Sequence, residues 1–275
     1  MYLNQGSCRF KFKYYMLENS YISSFIINNL WGKYNIGLRD LDPKMNILVG
    51  INGCGKTTLL DEIYKYYIGP TPRPMHGLFA PHIYASPDRL EESTLLYMKS
   101  LDNYTQLDKR KKVSALTQAL EYVIYQNKES FSFFNYRIRM IDFPDEAYII
   151  KERIQHFFDI IDKLFEDTNK KITIQDSRLV FQQNRDIVEV NQLSSGEKQL
   201  LLILLNVFLL KEKKAVILMD EPEISLHISW QYHLLDILTE LNPQAQFIIT
   251  THSPSIFGDG WGDKVIYFDD ITEKC

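Results

Sequence analysis

Cysteine is scarce in this chain, with three residues in 275, Cys8, Cys54 and Cys275. An odd number so widely spaced supports neither a disulfide framework nor a zinc site, and points to a reducing compartment. A dominant charge sign is missing too. Lys and Arg number 31 against 35 Asp and Glu, a formal charge of −4. Nothing global therefore selects nucleic acid or an anionic membrane, and any such contact must come from a local patch. Apolar runs are short. The longest, LLLILLNVFLL at 200–210, cannot span a bilayer and carries Asn206, so it reads as a buried helix. The opening MYLNQGSCRFKFKYYMLENS lacks the continuous apolar core of a secretory leader, and a cytoplasmic location with no membrane contact is expected. No sustained heptad, repeat or low-complexity tract occurs, which argues against a long coiled coil. What remains, 45% hydrophobic and 24% charged, is an ordinary globular balance with room for one large core or a core plus a subdomain.

Against that background the stretch GINGCGKTT (50–58) stands out, directly after the apolar run MNILV. Its spelling, Gly50-x-x-x-x-Gly55-Lys56-Thr57, is that of a nucleoside-triphosphate loop. Glycines let the backbone turn tightly, so that N–H groups from Gly50, Ile51, Asn52, Gly53, Cys54, Gly55 and onward to Thr58 can face phosphate oxygens. Lys56 can reach the β- and γ-phosphates, and the Thr57 hydroxyl can ligate Mg²⁺. A helix opening near Lys56 adds its positive dipole end. ATP and Mg²⁺ are the expected cofactors.

Polarity patterns organise the rest. YISSFIINNLW and IGLRDL alternate around GKYN, a β-hairpin pattern, and MNILV is a short buried strand. Residues 58–67 continue as a helix, broken by the prolines of GPTPRPMHG. HIYAS (82–86) reads as a buried strand. Helical spacing dominates from about 89 to 168, interrupted at QNKESFSFFNYR and DFPDE. KITIQ, RLVFQQ and DIVEV form a three-strand meander. A helix at 196–211, the strand AVILMD, a helix at about 226–241, and the strands QFIIT and KVIYF close the chain. The expected fold class is α/β: a mainly parallel sheet flanked by helices, with an N-terminal antiparallel β portion and an inserted helical lid. The expected division is 1–88 and 171–275 as two halves of a head, with 89–170 as the lid. Within the lid, DKRKKVS (108–114) reads as a solvated helix face and the aromatics of FSFFNYRIRM (131–140) as core.

Three further stretches carry chemistry. Asp220 and Glu221 end an apolar strand, where packing alone has no use for paired carboxylates. An ATPase needs one acid for Mg²⁺, the role of Asp220, and one to polarise water, the role of Glu221. His252 in THSP ends the next strand and can donate to a γ-phosphate. LSSGEKQ (193–199) places Ser194 and Glu197 as a capping box around Ser195 and Gly196. The same helix start is also an anion site.

A phosphate loop followed in order by LSSGEKQ, LMDEPEISLH and THSP resembles the motif set of ABC-type ATPases. The likeness is to the soluble branch that includes RecF, SMC-type heads and the overcoming-lysogenization-defect family, over roughly 20–68 and 190–268. It implies an ATP sandwich of two copies, with Ser194, Ser195, Gly196 and Glu197 of one facing the γ-phosphate at Lys56 of the other. Ser225 and Leu226 would line the seam. Ser195 stands where transporters carry glycine and His227 where they carry aspartate, both favouring the soluble branch. The resemblance also implies ATP hydrolysis, with Glu221, His252 and Lys56 in the catalytic roles, and an effector partner such as a separate Toprim nuclease in antiphage defence. A RecF-like repair ATPase touching DNA, with nucleic acid met through the lid, is the alternative. A transporter subunit is disfavoured. YASPDR (84–89) occupies about the region of the usual Mg²⁺-sensing loop.

Overall fold

The computed structural model describes residues 20–69, 81–91, 93–100, 107–108, 113–126, 132–210, 213–258 and 260–275. The chain divides into two compact units. The first comprises Met1–Lys99, Lys213–Pro222 and Gln244–Cys275; the second comprises Ser100–Glu212 and Glu223–Pro243.

The first unit holds two sheets. β1 (Ser24–Leu30) and β2 (Tyr34–Leu38) form the expected hairpin, and β4 (His82–Ser86) and β14 (Thr272–Lys274) extend it in the order β14-β2-β1-β4. The other sheet is parallel: β13 (Val265–Tyr267), β3 (Met45–Val49), β12 (Ala245–Thr251), β11 (Ala215–Asp220) and β5 (Thr94–Met98), in that order. Both β11 and β12 are buried along their whole length, as the central strands of a parallel sheet covered on both faces are. The helix α1 (Lys56–Ile68) turns Leu59, Leu60 and Ile63 inward. They join one core with Phe25, Ile27 and Leu38 of the hairpin and Leu48, Val216, Leu218 and Ile248 of the parallel sheet. Each such aliphatic side chain contributes about 1.5–3 kcal/mol. That core fixes the C-terminal edge of the parallel sheet against the start of α1.

The second unit is mainly helical. It contains the short pair β6 (Leu107–Asp108) and β7 (Val113–Ser114), then α2 (Ala115–Glu121), α3 (Phe133–Asp142) and α4 (Ala147–Leu164). After these come the meander β8 (Lys170–Gln175), β9 (Arg178–Gln183) and β10 (Asp186–Glu189), then α5 (Ser195–Leu209) and α6 (Ile228–Leu241). Side-chain oxygens start α2 and α3: Ser114 accepts from Thr117 N–H, and Ser132 from Asn135 N–H. Along α4 the buried residues Ile150, Ile154, Phe157 and Ile161 form one stripe. The apolar run at 200–210 lies within a helix buried on nearly every side, where the Asn206 amide donates to the Leu202 carbonyl. Phe133, Tyr136 and Phe157 pack around Phe208, so the 131–140 aromatics with buried rings are core.

Three expectations need correction. HIYAS is a strand but not a buried one. It pairs with β1 alone and alternates exposed and half-buried, so His82, Tyr84 and Ser86 face out. Within the supposed helical stretch, TLLYM (94–98) is a strand, the edge partner of β11, with Met98 opposite Met219. YASPDR therefore does not flank the acidic strand end; Lys99 and Ser100 follow the strand that does. Of DKRKKVS, the flanking residues Asp108, Val113 and Ser114 are strand rather than helix, and 109–112 lie outside the described residues. GPTPRPMHG falls largely outside them as well.

Candidate nucleotide site

Register brings the first unit's polar residues together. Val49 sits opposite Thr251, and Asp220 opposite Thr250, so β3, β12 and β11 end along one edge. The phosphate loop, His252 and Glu221 each follow directly from one of those ends.

In the loop the backbone decides what fits. Gly53 and Gly55 adopt φ of 80° and 114°, a region closed to most side chains. Gly50 is required for a different reason: a Cβ there would stand 2.8 Å from both Phe268 Cβ and Cys54 Sγ. Gly55 caps α1 without any side-chain hydrogen bond, and no acid occupies the first turn. The helix start therefore keeps its N–H groups and positive dipole for an anion. Lys56, only 4% exposed, donates from Nζ to the Gly50 and Ile51 carbonyls at 2.8 and 3.1 Å. Ile51, Asn52 and Gly53 are exposed, and Cys54 is half-buried with a free thiol.

The acidic pair is held from two sides. Asp220, 3% exposed, accepts from Thr57 Oγ1 at 2.8 Å and from Thr250 Oγ1 at 2.7 Å. Buried hard oxygens of this kind, a hydroxyl beside a carboxylate, suit a cation such as Mg²⁺. Glu221 sits at φ 48°, a left-handed conformation costly for a non-glycine residue. Its N–H is held by the Thr250 carbonyl at 3.0 Å, and its Oε1 lies 3.6 Å from Lys56 Nζ and 3.4 Å from His252 Nδ1. On β5, burial, followed by the charges of Asp220 and Asp61, pushes the Tyr97 phenol well above its ordinary range. It remains a neutral group beside the acids.

Ser194, Ser195, Gly196 and Glu197 belong to the second unit. The expected capping box is present: Ser194 N–H donates to Glu197 Oε2 at 2.9 Å, and Glu197 N–H to Ser194 Oγ at 3.2 Å. Both serines are exposed, whereas Glu197 is 2% exposed. Lys170 Nζ reaches its other oxygen at 2.6 Å, and Thr168 donates to it at 3.3 Å. Burial works to raise the Glu197 pKa, but the hydrogen bonds from Lys170 and Ser194 outweigh it and hold the carboxyl below its ordinary value. Gly196 is a close-approach glycine. A Cβ there would meet the Ser225 carbonyl at 2.5 Å and the Trp230 ring at 3.5 Å, with Ser225 itself at φ 67°. Leu226 is buried, and His227 caps α6, accepting from Ser229 N–H.

Sequence reasoning missed Thr250, which orients Asp220, and Phe268, which floors the loop. It also missed Lys170, which anchors Glu197. A threonine in register with the acidic strand end was a usable signal for the first; the other two depend on tertiary contacts. Among the described residues, no group of three or more His, Cys, Asp or Glu could hold a metal by itself, and no helix is long and apolar enough to cross a membrane.

A family model described as "AAA domain, putative AbiEii toxin, Type IV TA system" matches residues 62–258, starting within α1. The chain belongs to this family, and with it to the RecF/SMC/OLD-like branch of ATPases. A curated relative, the retron Ec83 probable ATPase of Escherichia coli, is 27% identical over 138 residues, 42% of this chain. The match spans only 26% of that relative's length. Among solved structures, an SMC head bound to the C-terminal winged-helix domain of ScpA aligns with a TM-score of 0.56. It shares 13% identity and covers 93% of this chain and 97% of its own. The SMC head domain of Thermotoga maritima aligns over 86% and 91% of the two chains at 14% identity, with a TM-score of 0.47.

Proposed function

We infer that this chain binds ATP with Mg²⁺ and hydrolyses it between two copies of itself, and that the closed pair gates an effector. One observation carries the catalytic half: Thr57 and Asp220 are bonded at 2.8 Å, while Glu221 lies within 3.6 Å of Lys56 and 3.4 Å of His252. Gly50, Ile51, Asn52, Gly53, Cys54, Gly55 and Thr58 wrap the phosphates with backbone N–H groups, and Lys56 neutralises the β- and γ-oxygens. Thr57 and Asp220 would hold Mg²⁺, which supplies charge neutralisation on the transferring phosphoryl. Glu221 takes the proton of a water that attacks the γ-phosphorus in line, the bond to the β-bridging oxygen breaks, and ADP leaves. His252 donates to the γ-phosphoryl oxygens. The left-handed backbone of Glu221 aims its carboxylate toward Lys56 and His252.

The facing copy supplies Ser194, Ser195 and Gly196 to the same γ-phosphate, while Glu197 holds that helix start in shape. Loss of the γ-phosphate removes these contacts, so hydrolysis times the life of the pair. The SMC-head fold supports pairing, and the retron relative supports a defence-linked effector, for which a nuclease is the leading class.

The test is direct. Glu221→Gln, mixed with ATP and Mg²⁺ and weighed by sedimentation, should accumulate as a dimer that dissociates when nucleotide is removed. Adding Ser195→Arg should return it to monomer. A Glu221→Gln protein that stays monomeric in saturating ATP, or hydrolyses it at the parent rate, would end this reading.

A further inference from the structure

In the second unit, α4 and α6 enclose a groove. Two adjoining cavities, about 520 and 310 Å³, share His156 and Glu240. The larger has an apolar floor of Ile160, Leu164, Trp230 and Ile237. Its rim is acidic: Asp159, Glu166, Asp167, Asp236 and Glu240 face a single Lys163. The lining runs from Ser229 to Glu240 along α6, roughly 16 Å, or three helical turns. His156 Nε2 and Glu240 Oε1, 2.9 Å apart and both about half exposed, mark the boundary between the two cavities.

We propose that this groove is a docking site for a basic amphipathic helix of a partner protein. An apolar stripe about three turns long would cover the floor, and flanking Lys or Arg would meet the carboxylates. Charge excludes the other occupants. A second copy of this face would set its acidic rim against an identical one, and an anionic lipid surface would be repelled in the same way. The site also touches the start of α5. Trp230 lines the groove, donates from Nε1 to the Leu164 carbonyl at 2.8 Å, and braces Gly196 from its other edge. Docking is argued without nucleotide and stands independently of the catalytic reading above.

The probe is a synthetic Leu/Lys amphipathic helix, with a Leu/Glu helix of the same pattern as control, measured by fluorescence anisotropy at physiological salt without ATP. The Leu/Lys helix should bind at least tenfold more tightly than Leu/Glu. It should slow amide exchange at 156–167 and 229–240. Reversing two exposed rim charges, Asp236→Lys with Glu240→Lys, should weaken binding at least tenfold. Reversing two exposed acids elsewhere in the unit, Glu121→Lys with Asp186→Lys, should leave it within twofold. Absence of binding, protection outside the groove, or equal loss in both double variants overturns the proposal.

Discussion

Two helices of this chain begin in ways suited to opposite tasks. The first, α1, starts on left-handed Gly55 with no side-chain cap and no acid in its first turn. The other, α5, starts on Ser194 with a reciprocal cap, and its first-turn acid is buried against Lys170. An uncapped start leaves N–H donors unspent and gains stability when an anion arrives. A start capped in this way has the Ser194 and Glu197 N–H groups satisfied and offers its exposed serine hydroxyls beside the N–H groups of Ser195 and Gly196. The contrast separates a site that receives a ligand from a surface that presents one, although both are helix N-termini with the same macrodipole.

The contrast can be broken most forcefully at Lys56. Lys56→Ala removes the ammonium from the uncapped end and should weaken ATP binding by about 2–3 kcal/mol, on the order of a hundredfold, in titration calorimetry. Unchanged affinity would mean that this end does not receive phosphate. Packing at the two glycines comes next. Gly196→Ala drives a methyl into the Ser225 carbonyl and should cost roughly 1–3 kcal/mol. Gly53→Ala meets nothing within 4 Å and carries only the strain of its φ of 80°, about 1 kcal/mol. Equal melting temperatures for these two variants would erase the distinction.

Acidity sharpens it further. The Glu197 pKa is lowered on folding, so its ionised form contributes stability that is full above the ordinary value of 4.5 and lost as pH falls through the lower folded value. Glu197→Gln should melt lower than the parent at neutral pH, with the gap narrowing below about pH 4.5. A gap independent of pH would remove the Lys170 pairing from the account. On the same scale as the Gly53 strain, Ser194→Ala should cost about 1 kcal/mol of stability. Chemical denaturation at neutral pH measures it, and a loss-free Ser194→Ala would show the cap to be idle.

Legibility in the sequence follows the range of the interactions. The phosphate loop and capping box are spelled within nine residues or fewer, and each sits on the helix start its sequence indicates. The strands β3, β11 and β12 were equally plain, because burial on both faces leaves mainly apolar runs, interrupted by buried Asn46 in β3 and by Gln246 and the terminal threonines in β12. TLLYM was hidden because an edge strand is only half-buried, and its Leu-rich spelling suits a helix equally well. HIYAS misled in the opposite direction. Its alternation is real, but Tyr84 is apolar enough to pass for core while standing 61% exposed. Phe268 and Lys170 left no mark in their own neighbourhoods, since their roles exist only through contacts with Gly50 and Glu197.

The place of Phe268 has a consequence for how the molecule is made. The pocket's floor is synthesised more than two hundred residues after the glycines that rest on it, and it arrives with the strand that pairs with β3. A growing polypeptide on the ribosome thus carries the right spelling through more than two hundred further residues of synthesis without the surface that shapes it. Competence to capture a nucleotide is deferred until Phe268 has emerged, so chains not yet extended that far would be poor competitors for the cell's ATP.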